Sequence, residues 1–77
     1  MTKYNGHKNW NHWNVSLWIN NDETLYNVAR NYVRSSTRTK DRAARDMFAD
    51  LQRHGTHKTP DGTPYSVSSI RAAMVGM

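Results

Sequence analysis

The chain has 77 residues, enough for one domain whose hydrophobic core must be modest. It contains no cysteine, which excludes disulfide bonds and thiolate metal sites. Eleven lysines and arginines against six acidic residues give a net charge of +5, and such an excess suits a polyanionic partner, most simply nucleic acid.

The first segment, residues 1–8, is predicted to be an extended arm, and it lacks the apolar run of a signal peptide. No stretch of the sequence approaches the roughly 18–20 apolar residues that a membrane-spanning helix needs. A small secreted domain would usually contain disulfides. We therefore expect a soluble, cytoplasmic protein with no membrane partner.

Residues 9–54 are predicted to form three helices. Asn9 is expected to cap the first, which should end near Ile19, with Asn20 and Asn21 as further capping residues. Apolar residues of this helix follow the spacing i, i+3, i+7, with one additional tryptophan: Trp10, Trp13, Leu17 and Trp18. Because indoles bury much area, we expect this stripe, and Trp13 above all, to face the core.

The second helix should begin at Asn21 or Asp22 and run to about Arg34. Its apolar face is marked by five residues: Leu25, Val28, Ala29, Tyr32 and Val33. After a linker at residues 35–39, Thr39 is expected to cap a third helix that ends at His54, with glycine following. Its apolar stripe comprises Ala44, Met47, Phe48 and Leu51.

Residues 55–65 are predicted to form a turn, since Pro60-Asp61-Gly62 is strong turn chemistry that can support a short two-stranded ribbon. Ser66 should cap a final helix over residues 66–77. None of these helices exceeds the roughly 12–15 residues needed for stability in isolation, so they must pack together. The sequence therefore predicts a single all-α domain, a small bundle of about four short helices.

Basic residues are concentrated in the middle of the chain, with Asp41 as the only acid among them: Arg30, Arg34, Arg38, Lys40, Arg42 and Arg45. This clustering predicts contacts with nucleic-acid phosphates by four of them and by one later lysine: Arg38, Lys40, Arg42, Arg45 and Lys58. An ordinary solvated face is the simpler interpretation of the same charges.

The N-terminal stretch resembles a family of small proteins from bacteriophages and plasmids that share a YNGxxNWxxWNVxLWxxND motif. The matching positions are Tyr4, Asn5, Gly6, Asn9, Trp10, Trp13, Val15, Leu17, Trp18, Asn21 and Asp22. Where those proteins usually have Glu-Thr, this chain has Asn11-His12. The resemblance implies a mobile-element origin and, if phage-encoded, a host cytoplasm, but it implies no activity.

The C-terminal stretch is similar to the DNA-binding helix-turn-helix of the large serine recombinases, with one extra residue between Gly55 and Thr59. The positions in register are Leu51, Gly55, Thr59, Pro60, Gly62, Tyr65, Ser66, Ser69, Ile70, Arg71 and Met74. The resemblance implies that the last helix reads duplex DNA, with phosphate or base contacts from Ser66, Ser68, Ser69 and Arg71. The chain is too short to contain the recombinase catalytic domain.

Catalytic and metal sites find no support in the sequence. There is no glycine-rich phosphate loop and no cysteine nucleophile, so we expect no enzyme activity and no cofactor. The four histidines lack the cysteine partners or the acid cluster of a typical zinc site, so no metal is expected.

An alternative function is an inhibitor or adaptor that binds a host protein, such as a nucleic-acid enzyme or a defence complex. Its interface would be a polar face of asparagines around an aromatic anchor: Asn11, Asn14, Trp18 and Asn27. Either function is compatible with a homodimer.

Overall fold

The computed structural model describes residues 9–35 and 39–77. The described chain is all-α and has four helices: α1 (Trp10–Asn21), α2 (Glu23–Ser35), α3 (Lys40–Arg53) and α4 (Val67–Ala73). Each helix packs against its neighbours in sequence, and α4 packs back on α1, so that the four close into a ring. Among the described residues, the helices on opposite sides of the ring do not contact each other: α1 does not contact α3, and α2 does not contact α4.

Three of the predicted helix caps, Asn9, Thr39 and Ser66, are confirmed. The Asn9 side chain accepts the backbone N–H of His12 at 3.0 Å, and the Thr39 side chain accepts that of Arg42 at 3.2 Å. Ser66 accepts the N–H of Ser69 at 3.1 Å in a capping box. Each bond satisfies an N–H group that the first turn of the helix leaves without a partner.

A single residue, Asp22, separates α1 from α2 and bonds to both helices. Asp22 donates its N–H to the carbonyl of Trp18, and its carboxylate accepts the N–H of Leu25 at 3.0 Å. Asn20 and Asn21 end the first helix, as predicted, but the prediction that they are capping residues is wrong. Both lie in its last turn, where their amides donate to carbonyl oxygens one turn earlier, at 2.9 and 2.8 Å.

The buried apolar core draws on all four helices and on the turn before α4: Val15, Ile19, Ala29, Ala43, Ala44, Met47, Tyr65, Ile70, Ala73 and Met74. Four of these are alanines, which let the helix backbones approach closely. The space between them then suits medium-sized aliphatic side chains better than indoles.

The first helix therefore does not bury the face that the tryptophan spacing indicated. Trp10 and Leu17 remain 43% and 39% exposed, and Trp13 and Trp18 are half-buried. Instead, Val15 and Ile19, one turn apart on another side, point into the core. The prediction failed because α1 is apolar on more than one side, so periodicity alone did not determine which side is buried.

The segment before α4 is a tight turn with a minimal ribbon. The N–H of Gly62 donates to the carbonyl of Thr59 at 2.8 Å, and Gly62 has a φ of 89°, which favours glycine. A single antiparallel bridge joins Lys58 and Pro64.

The last helix ends at Ala73, not at residue 77, because a turn with Gly76 at a φ of 88° follows it. No helix of the described residues is long and apolar enough to cross a membrane.

Candidate nucleic-acid interface

Basic residues are concentrated in the second half of α2 and the first half of α3. These two helices pack against each other and are joined by four residues, so the end of α2 and the start of α3 lie at the same end of the pair. The basic corner, as we call it, comprises Arg30, Arg34, Lys40, Arg42 and Arg45. All are exposed except Lys40, which is half-buried. Arg38 lies outside the described residues.

The two acids at this end are both paired with arginines. Asp41 Oδ1 is 3.0 Å from Nε of Arg71, and Asp46 Oδ1 is 3.5 Å from Nε of Arg42. These side chains are well exposed, so each pair is weak. Among the described residues, no ion pair involves the remaining members of the corner, Arg30, Arg34, Lys40 and Arg45.

The other acids lie away from the corner. Asp22 and Glu23 are at the start of α2, Asp50 is in the last turn of α3, where it pairs with Arg53, and Asp61 is in the turn before α4. The pair α2–α3 is therefore electrostatically polarised, with excess positive charge at one end. A field of this kind attracts a polyanion to that end.

The three serines predicted to contact DNA are less available for binding than the arginines of the basic corner. Ser69 is fully buried, and its Oγ accepts the N–H of Ser66 at 3.0 Å, so the prediction that it faces DNA is wrong. Ser66 is half-buried in the same capping box. Ser68 is exposed, but its Oγ lies 2.9 Å from Nε2 of His12, within hydrogen-bonding distance.

Helix α4 is also poorly placed as a recognition helix. It has seven residues, which corresponds to about 10 Å of length. It packs against α1 and α3, and Ile70 and Ala73 point into the core. Of the remaining candidates, Arg71 sits beside the basic corner through its pair with Asp41, and Lys58 is exposed on the ribbon.

Asn14 and Trp18 hold the turn before α4 against α1. Asn14 Nδ2 and Trp18 Nε1 both donate to Oδ2 of Asp61, at 2.8 and 2.9 Å. The Oδ1 of Asn14 accepts the hydroxyl of Thr59 at 2.8 Å, and Oγ1 of Thr59 accepts the N–H of Thr63 at 3.1 Å. The hydrogen bonds from Asn14 and Trp18 hold the pKa of Asp61 below its ordinary value.

This network changes the interpretation of the predicted protein-binding face. Asn14 is 1% exposed, so the expectation that it lies on an accessible polar face is wrong. Asn11 and Asn27 are exposed, but they lie on different helices. Asn11 is about 15 Å along α1 from the junction with α2. Trp18 already uses its indole N–H on Asp61.

No sequence signal pointed to this network, because it joins residues of α1 to residues of the turn that lie more than 40 positions later in the chain. Among the described residues, no group of three or more histidine, cysteine or acidic side chains is arranged to hold a metal ion.

Comparison with known proteins gives a family but no activity. The model of a family of unknown function, DUF7249, matches residues 1–77, so the chain belongs to that family. Searches of curated proteins and of solved structures found no significant match.

Proposed function

We propose that this member of a family of unknown function binds nucleic acid, with duplex DNA as the favoured ligand, through its basic corner. The protein would serve as an accessory factor of a bacteriophage or a related element in the host cytoplasm, an origin that rests on its N-terminal motif. The observation that carries the proposal is a set of exposed arginines that form no ion pair with any other described residue: Arg30, Arg34 and Arg45.

The binding would be electrostatic and independent of sequence. Guanidinium groups bind phosphate oxygens with two parallel hydrogen bonds, and each neutralised phosphate releases counterions into solution. Five or six such contacts give a log–log dependence of the association constant on salt with a slope of about −5. Arg71 adds positive charge beside the corner without entering a groove, and Lys58 is exposed on the ribbon that follows α3.

The positions of the serines favour the basic corner over α4 as the main contact. A recognition helix must expose several neighbouring side chains to base edges. In α4, Ser69 is buried and Ser68 contacts His12, which leaves too few free groups for reading a sequence. We therefore expect weak discrimination between DNA sequences.

Fluorescence anisotropy with labelled random duplex and single-stranded DNA, at about 50 to 300 mM salt, tests the proposal. We expect binding that weakens steeply with salt, with duplex bound more tightly than single strands. Arg42→Glu should reduce the affinity about tenfold or more at low salt, since it replaces a positive charge in the corner by a negative one.

Arg53→Glu is the matched control, because it makes the same charge change at the other end of α3. Like Arg42, Arg53 is exposed and paired with an aspartate of its own helix, Asp50. It should reduce the affinity much less. Equal losses in the two variants would show that only net charge matters, and no binding at the lowest salt would overturn the proposal.

A further inference from the structure

Helix α1 differs in charge from the rest of the protein. Its sequence, WNHWNVSLWINN, contains no lysine, arginine, aspartate or glutamate, whereas α2, α3 and α4 all contain charged residues. Exposed helix faces in soluble proteins usually contain charges. Interface cores, by contrast, are depleted of charge and enriched in aromatic residues.

The outer face of α1 is also apolar. Trp10, Trp13 and Leu17 follow one another at i, i+3, i+7 and so lie along one side of the helix. Trp10 and Leu17 are two of the three large apolar residues found exposed in the described chain, and the third, Val75, follows the neighbouring helix α4. The face that points into the core, with Val15 and Ile19, is a different one.

We infer that this outer face of α1 is the interface with a second copy of the chain. In a two-fold symmetric dimer the same patch meets itself, so like charges on the patch would repel one another. Each copy has a net charge of +5, and among the helices of the described residues only α1 contributes no charged side chain to that repulsion. A patch without charge is therefore electrostatically compatible with its own copy.

The polar groups at the edge of the stripe also suit self-association. Asn21 is exposed and lies four residues after Leu17, at the edge of the stripe. An amide side chain both donates and accepts hydrogen bonds, so it can bond to a polar group of another copy. An acidic partner would instead bind the arginines of the basic corner on α2 and α3, because their charge is opposite to its own. These features favour a second copy over a charged partner as the occupant of this face.

A dimer formed through α1 would leave the basic corners free. Among the described residues, α1 contacts α2 and α4 but not α3, and the corner lies at the end of the α2–α3 pair that is remote from the α1–α2 junction. The dimer would therefore present two basic corners. The inference itself does not depend on nucleic-acid binding.

Analytical ultracentrifugation of the full chain at about 5 to 500 µM tests the inference, a range that detects micromolar association. We expect the wild-type mass to rise with concentration to twice that of one chain. Leu17→Lys should raise the dissociation constant at least about tenfold, because it places a charge in the centre of the interface.

Ala49→Lys is the matched control, since Ala49 is exposed on α3 and the substitution also replaces an apolar residue by lysine. It should dimerise like the wild type, and circular dichroism should show all three proteins to be folded. A wild type that stays monomeric at the highest concentration would overturn the inference and leave a host protein as the occupant. A Leu17→Lys variant that dimerises normally would also overturn it.

Discussion

The side-chain amide of Asn14 donates a hydrogen bond of 2.8 Å to the carboxylate of Asp61, joining two residues 47 positions apart. Through this bond, and the parallel one from Trp18, the first helix fixes the turn that leads into the last helix. A buried amide with both of its ends hydrogen-bonded contributes to stability mainly because its loss would leave buried partners unsatisfied.

We expect Asn14→Ala to lower the free energy of unfolding by about 2 to 3 kcal/mol, because it removes two hydrogen bonds and leaves the buried Thr59 without its acceptor. Urea unfolding followed by tryptophan fluorescence measures the change. Asn11→Ala is the control, since Asn11 is exposed on the same helix, and it should cost less than about 0.5 kcal/mol. Equal effects of the two variants would refute a structural role for Asn14.

The low pKa of Asp61 predicts a stability difference that depends on pH. Its pKa lies below 3.8 in the folded protein because Asn14 and Trp18 donate to the ionised carboxylate. The ionised form therefore stabilises the fold above pH 3.8, and this contribution is lost as the pH falls through the lower, folded-state pKa.

We expect wild type to be more stable than Asp61→Asn at neutral pH and the difference to shrink below pH 3.8. The free energy of unfolding of both proteins, measured between pH 7 and about pH 2, checks this. A difference that stays constant over the whole range would contradict the assignment.

The pair between Asp41 and Arg71 should weaken nucleic-acid binding if the basic corner is the contact surface. Asp41→Asn removes an acid from the corner and releases Arg71 to bind phosphate. We expect an affinity for duplex DNA about two- to fivefold higher at low salt, measured by anisotropy. Asp50→Asn makes the same charge change at the other end of α3 and should have a smaller effect. A larger effect of Asp50→Asn would place the contact surface elsewhere.

Local features of this fold could be predicted from the sequence, and long-range ones could not. The sequence predicts the caps Asn9, Thr39 and Ser66 correctly, because a cap is determined by the residues of one helical turn. The buried side of α1 was predicted wrongly, because Val15 and Ile19 compete with the tryptophan stripe and tertiary packing decides between them.

In the candidate site, too, local features could be predicted from the sequence and long-range contacts could not. The basic residues of the corner can be counted in the sequence, and their grouping needs only the short connection between α2 and α3. The burial of Asn14 depends on a contact with Thr59, 45 positions away, and that of Ser69 on the packing of α4 against α1 and α3. Asparagine and serine are usually exposed, so a sequence-based prediction places both on the surface.

The closure of the helical ring by α1 and α4 constrains the order in which the protein can fold. Helix α2 can pack against α1 and then against α3 as each leaves the ribosome. The second neighbour of α1 exists only after Val67–Ala73 has been synthesised. Until then, Ile19 and Met47 lack the side chains of Ile70 and Met74 that complete their surroundings. The core is thus completed only after α4 has been synthesised, and a nascent chain without α4 exposes apolar surface that chaperones bind or that promotes aggregation.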